Sequence, residues 1–150
     1  MYKNLEKLRQ SWGHYDVPKF ATEEEVVAFE QRTGLLIPDD LRAYFKTLNG
    51  NWWDAYLVEF YSLKQFITVK DEVGDRPRFE GIINTLSEHE NCFVFADHSI
   101  KIFIYAIRLS KVKTDVNEIY IIYSDEEYKL VANSFDEYIG KYVNGIDNYI

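Results

Sequence analysis

The chain has 150 residues, with 17 Lys+Arg against 25 Asp+Glu and a formal net charge of −8. A composition that is 47% hydrophobic and 28% charged, with 7 Gly and 3 Pro, excludes a disordered, collagen-like or low-complexity chain. A chain of this length can bury a core without disulfide or metal staples, and the single cysteine, Cys92, can form no intrachain bridge.

The first helix is expected where Leu5, Leu8 and Trp12 recur at i, i+3 and i+7, with Gly13 as its stop. Thr22 and Glu25 have the spacing of a capping box, Val26, Phe29 and Thr33 form the inner face of a second helix, and Gly34 stands where the chain should leave it. A third helix starts at Pro38, carries Leu41, Tyr44, Phe45 and Leu48 on one face, and stops at Asn49-Gly50. A short strand, Tyr56 to Tyr61, precedes Ser62-Leu63-Lys64-Gln65, a second capping-box spacing that predicts a short helix. From Val69 to Asn91 the periodicity dissolves into loop, with at most a helical turn over Leu86 to Glu90. Strand patterning then takes over in Cys92 to Ala96, Ile100 to Leu109, Glu118 to Tyr123 and Tyr128 to Val131, separated by polar turns. Ser134 and Glu137 open a last helix whose apolar face is Phe135, Tyr138, Ile139, Tyr142, Val143 and Ile146. Helices, then adjacent strands, then a helix predict one α+β domain over 1–150: a mainly antiparallel sheet of four to six strands, packed by N-terminal helices and a C-terminal helix.

Chemistry is harder to find. The glycines are scattered singly, so no phosphate-binding loop is present. His89, Cys92 and His98 are the nearest approach to a metal site, but they lack a repeated ligand pair, and no metal or other cofactor is expected. Cys92 reads as a buried small hydrophobe at the start of a core strand rather than as a nucleophile. The carboxylate pairs are accounted for by helix caps, first helical turns and solvated turns, so no catalytic residue is assigned and an enzyme is not expected.

Charge points to the kind of partner. Residues 1–75 hold 9 basic and 13 acidic side chains and residues 76–150 hold 8 and 12, so each half is −4 and no basic patch exists. Nucleic acid is therefore not an expected partner; the acidity suits a basic protein, although ordinary solubility charge is the more common cause of such a balance. The longest apolar run, Ile102 to Ile107, is far short of the ~20 residues that cross a bilayer, and the charged N-terminus carries no secretory signal. No membrane association is expected, and the setting is cytoplasmic. One segment resists a purely structural account: Asn51-Trp52-Trp53-Asp54-Ala55-Tyr56 places two tryptophans on a connection. Loop aromatics flanked by polar residues favour binding hot spots, while a fold back over the core would account for the tryptophans equally well; on the first reading Trp52, Trp53 and Tyr56 are candidate anchors, with Asp54 and Glu59 as steering charges.

The order of motifs resembles the SUKH superfamily. Thr22-x-x-Glu25, Phe29-Glu30, Gly34-x-x-Ile37-Pro38-Asp39-Asp40-Leu41-Arg42, Phe45 and Asn49-Gly50 follow one another as in the opening of such a domain. Phe60 to Phe66, Phe93 to Asp97, Tyr120 to Ile122 and Ala132 to Ile139 resemble its later strands and closing helix. The resemblance covers roughly residues 20–145; it leaves 69–91 unmatched, and His98-Ser99 stands where a glycine is often found. It implies an α+β protein-binding domain without a catalytic motif. Small bacterial members are typically immunity proteins that neutralise a cognate toxin of polymorphic or contact-dependent systems; eukaryotic relatives include a fungal cell-wall synthesis regulator. The expected partner is accordingly a basic toxin domain, possible nucleases included, or else an endogenous protein regulated by binding. The sequence leaves the oligomeric state open.

Overall fold

A computed structural model describes residues 2–12, 19–51, 58–73, 81–98, 103–123 and 127–145. Helix α1 (Lys3–Trp12) buries the expected stripe of Leu5, Leu8 and Trp12. Helix α2 (Glu23–Thr33) opens on a complete capping box: the Thr22 hydroxyl accepts from the Glu25 N–H at 3.1 Å, and the Glu25 carboxylate accepts from the Thr22 N–H at 2.9 Å. Gly34 leaves it in the left-handed region, at φ 73°. Helix α3 (Asp39–Thr47) follows the extended Pro38 and buries Leu41, Tyr44 and Phe45.

The Asn49-Gly50 stop does more than end a helix. Both residues have positive φ, 59° and 102°, and a β-carbon on Gly50 would stand 2.9 Å from the backbone nitrogen of Ser62. The Asn49 side chain accepts from the Leu63 N–H at 2.9 Å and donates to the Lys19 carbonyl at 2.7 Å. One amide thus joins the approach to α2, the end of α3 and the turn after the first strand.

Strands β1 (Val58–Phe60) and β2 (Ile67–Thr68) pair antiparallel with successive parts of β3 (Cys92–His98). Strands β4 (Phe103–Arg108), β5 (Ile119–Ile122) and β6 (Tyr128–Ala132) complete an antiparallel meander in the order β3-β4-β5-β6. Helix α6 (Phe135–Val143) crosses back over the sheet after α4 (Val69–Val73) and α5 (Ile82–Thr85) have been laid down earlier in the chain. The α+β expectation and the meander therefore stand.

Alternation along the strands sends side chains to two cores. Phe93, Phe95, Tyr105, Ile107, Ile119 and Ile121 meet α1, α2, α3 and α6 on one face, where Phe95 lies edge-on to Phe135 at 5.4 Å and Phe66 stacks on Phe93 at 5.0 Å. A register shift between Val94 and Ala96 turns both Phe95 and Ala96 to that face. Cys92, Val94, Ile104, Ala106 and Ile122 point the other way, onto Val69, Val73, Ile82 and Leu86.

That second core corrects the reading of 69–91 as loop. Val69 with Val73 and Ile82 with Leu86 are i, i+4 pairs, one per short helix, too brief to show a period but sufficient to cover the back of the sheet. The turn expected at Leu86 to Glu90 is a 3-10 turn, His89–Asn91. Four further expectations are adjusted. Ser62 to Gln65 forms a single turn rather than a helix, with the Gln65 side chain accepting from the Ser62 N–H at 2.9 Å. Asp97 and His98 belong to the ladder, opposite Ile104 and Phe103, rather than to a turn. Ile67 and Thr68 form an additional strand. At α6 the Ser134 hydroxyl accepts from the Glu137 N–H at 3.0 Å, but the Glu137 carboxylate takes the Asn133 N–H instead of closing the box on Ser134. Gly13, Ile100 and Ile146 lie outside the described residues.

Candidate functional site: a carboxylate-lined cleft

Two helix N-termini meet at the end of the front face. Glu30, near the end of α2, accepts from the Ile37 N–H at 2.8 Å and holds the chain extended between Gly34 and Pro38. Leu36 donates its N–H to the Ser110 carbonyl at 2.8 Å, so this segment lies against the start of the long β4–β5 connection. Arg42 on α3 reaches Glu30 at 2.9 Å and Glu23 at 2.6 Å; burial works against its charge, but these pairings raise its pKa further above the ordinary guanidinium value. The result is a cleft of about 450 Å³ between α3, α6 and residues 112–117.

Asp40 forms its floor and is 9% exposed. One carboxylate oxygen accepts from the Leu41 N–H and the other from the Asp136 N–H, each at 2.8 Å, so a single side chain caps α3 and α6 together. Burial pushes the Asp40 carboxyl above the ordinary carboxylate range despite those two bonds. Asn4 of α1 secures the same corner, donating to the Asp136 carbonyl at 3.1 Å. Gly140 leaves room for it, since a β-carbon there would lie 2.8 Å from the Asn4 amide nitrogen. Opposite, the buried Asn117 donates to the Arg108 carbonyl at 3.0 Å and anchors the far end of the connection.

The charge lining the cleft is one-sided. Glu30, Asp39, Asp40, Asp115 and Asp136 face Arg42 and Lys113. Arg42 is already engaged by Glu23 and Glu30, and Lys113 lies 3.6 Å from Asp39 at a fully open rim. The Tyr2 hydroxyl registers the excess: burial first, then the charges of Asp40, Asp39 and Asp136, raise its pKa. Leu36 and Val112, 38% and 66% exposed, give the rim an apolar surface. Such a cleft suits an ammonium or guanidinium group carried on an apolar stem.

Of the residues singled out in the sequence, the described one, Glu59, does not line this cleft. Trp52, Trp53, Asp54 and Tyr56 lie outside the described residues. The base of their segment is described: Asn51 and Phe60 exchange both backbone hydrogen bonds, at 3.0 and 3.1 Å, beside β1. Glu59 sits half-buried on β1, opposite Asp97, and accepts from the Gln65 side chain at 3.1 Å. Next to it the Tyr61 hydroxyl meets both Glu72 and Asp97, the latter at 2.8 Å, and pins α4 to β3; burial, then these two carboxylates, raise its pKa.

Cys92 is fully buried, and burial pushes its thiol up to about 11 although Arg108 draws it back. Among the described residues no three His, Cys, Asp or Glu side chains come together as metal ligands, and no helix is long and apolar enough to cross a membrane. The sequence does not announce the cleft, because Asp39, Asp40 and Asp136 read singly as acids of first helical turns. Only the fold brings Asp40 to Asp136. The family described as SMI1/KNR4 (SUKH-1) matches residues 21–141, which contain every cleft residue except Tyr2. No curated protein matches the chain.

Proposed function

Since the chain belongs to the SMI1/KNR4 family (SUKH-1), we propose that it is a non-catalytic immunity protein, which neutralises a cognate bacterial toxin domain by binding it directly. The observation that carries this reading is the cleft at the α3 and α6 N-termini, where carboxylates outnumber cations and an apolar rim surrounds them. A Lys or Arg of a basic toxin enters there, and its neighbouring apolar residue rests on Leu36 and Val112. The net charge of −8 speeds encounter with such a partner. If the toxin is a nuclease, the same carboxylates occupy the path of its nucleic-acid backbone.

Neither the cysteine nor the capping carboxylates support catalysis. Cys92 is buried and its thiol is pushed away from thiolate formation. Both Asp40 oxygens are engaged by helix N-termini, and Glu137 is engaged by the Asn133 N–H and Lys141. Trp52, Trp53, Asp54, Tyr56 and Glu59 remain proposed as a second contact region. The working setting is the cytoplasm, and the protein acts as one domain.

The test is co-expression with the toxin domain encoded beside the gene, followed by binding of the purified pair. The chain should restore growth. Reversing two exposed cleft charges, Asp39→Lys with Asp115→Lys, should weaken binding about tenfold or more, mainly through slower association. Replacing Trp52 and Trp53 with Ala separates the second contact region from the first. Unchanged toxicity in the presence of the wild-type chain would sink the proposal. The family match also favours a second reading, regulation of an endogenous protein, because it includes the SMI1/KNR4 proteins themselves. A deletion phenotype in cells that carry no toxin gene would select that one.

A further inference from the structure

The sheet ends at β6, and among the described residues no strand or helix pairs with its outer side. Register fixes which groups face outwards. Tyr123 donates to the Glu127 carbonyl at 2.8 Å, and Ile122 and Ile121 stand opposite Tyr128 and Lys129. In an antiparallel ladder bonded pairs alternate, so Lys129 turns its N–H and C=O towards β5 while Tyr128 and Leu130 turn theirs away. The side chains at this edge are unusually apolar for an open one: Tyr128 and Leu130 are 38% and 49% exposed. Tyr128 also lies edge-on to Tyr120 at 5.6 Å, so its ring continues the back core outwards.

An exposed lysine in the middle of an edge strand usually guards against pairing. Here an exposed Glu127 stands two residues from Lys129, on the same face of the strand. That changes what the guard excludes. In a twofold antiparallel pairing centred on Lys129, two lysines would be opposed. Centred on Tyr128, each Glu127 lies opposite Lys129 of the other copy, and the outward N–H and C=O of Tyr128 bond to their own equivalents. Opposite charges directly across an antiparallel pair attract, and like charges repel.

We propose that the outer edge of β6 pairs with β6 of a second copy of this chain, antiparallel and centred on Tyr128, joining two sheets into one. The charge pattern selects that register and its occupant. The two Tyr128 rings then meet on the back face, and each lies diagonal to Leu130 of the other copy.

Sedimentation equilibrium of the purified full chain over 5–200 µM tests this without any toxin, so its outcome is independent of the immunity reading. The wild type should show a concentration-dependent dimer. Lys129→Glu should weaken it about tenfold or more, because both cross-strand pairs become repulsive. The doubly swapped Glu127→Lys/Lys129→Glu chain should regain the wild-type mass at each concentration. Tyr128→Pro removes the outward N–H together with the ring that lies on Tyr120 and should abolish the dimer, and far-UV circular dichroism checks that the chain remains folded. A wild type that is monomeric at 200 µM overturns the proposal, as does a dimer indifferent to Lys129→Glu or one that the swap fails to restore.

Discussion

Asp40→Asn probes the junction on which the cleft is built. The wild-type carboxylate receives two backbone N–H groups, from Leu41 and Asp136, each at 2.8 Å. An amide offers one acceptor oxygen, so one N–H at the start of α3 or α6 loses its partner. A hydrogen bond to a charged acceptor contributes about 1.5–3 kcal/mol, and removing a buried charge returns part of that; the expected net loss at neutral pH is about 1–2 kcal/mol. The pH dependence supplies the sharper check. Burial raises the folded-state pKa of Asp40 above its unfolded value, so the folded protein holds the proton more tightly. Asp40 therefore adds stability as pH falls through the raised folded value towards the ordinary carboxylate range, and loses that increment as pH rises again. The variant lacks the titration, so the difference between the two proteins should widen on acidification and level off below the ordinary range. Urea unfolding of both at a series of pH values measures it. A difference that narrows on acidification would mean that the two N–H bonds outweigh burial, and the account of this carboxylate would be refuted.

Two glycines separate backbone strain from steric contact. Gly34→Ala meets open space and suffers only its positive φ, an expected cost of about 1–2 kcal/mol by chemical unfolding. Gly50→Ala adds contacts of 2.9 to 3.2 Å with the backbone of residues 60–62, which the Asn49 amide holds in place, and should cost about 2–4 kcal/mol; equal losses at the two sites would contradict this. The Cys92 thiol, buried and pushed up to about 11, should resist alkylation at pH 8 in the native protein and react promptly in denaturing urea. Fast labelling without denaturant would show that the back core opens.

The elements legible in the sequence are those with local punctuation. The Thr22/Glu25 box, Gly34, Asn49-Gly50 and the Ser134 cap are short-range devices, and each lies at the helix end it predicts. The strands β3 to β6 were legible because β-branched and aromatic residues crowd them. What escaped was set by tertiary contact. Strand β2 is two residues long and exists because Ile67 and Thr68 meet Val94 and Phe93. Val69, Val73, Ile82 and Leu86 become helical covers only once the sheet presents Cys92, Val94 and Ile104 to them. Glu137 illustrates the limit within a motif: its spacing fits a capping box, yet its carboxylate finds Asn133 instead.

The cleft shows the same limit where function is concerned. Asp39 and Asp40 satisfy a local explanation, as acids in the first turn of a helix, and that explanation is correct for Asp39. Asp40 also caps a helix 96 residues further along, and nothing in its neighbours announces that. The tryptophan segment was conspicuous for the opposite reason: it lacked a local explanation. Conspicuous residues and assembled residues are thus different kinds of evidence: residues 52–57 stood out in the sequence, whereas the cleft beside α3 and α6 exists only in the fold. A partner that touched only the first would bind mainly through apolar anchors, with Asp54 and Glu59 to steer it, and depend weakly on salt, whereas one seated in the cleft would weaken steeply as salt rises. The salt dependence of a measured complex therefore assigns the surface before any residue is changed.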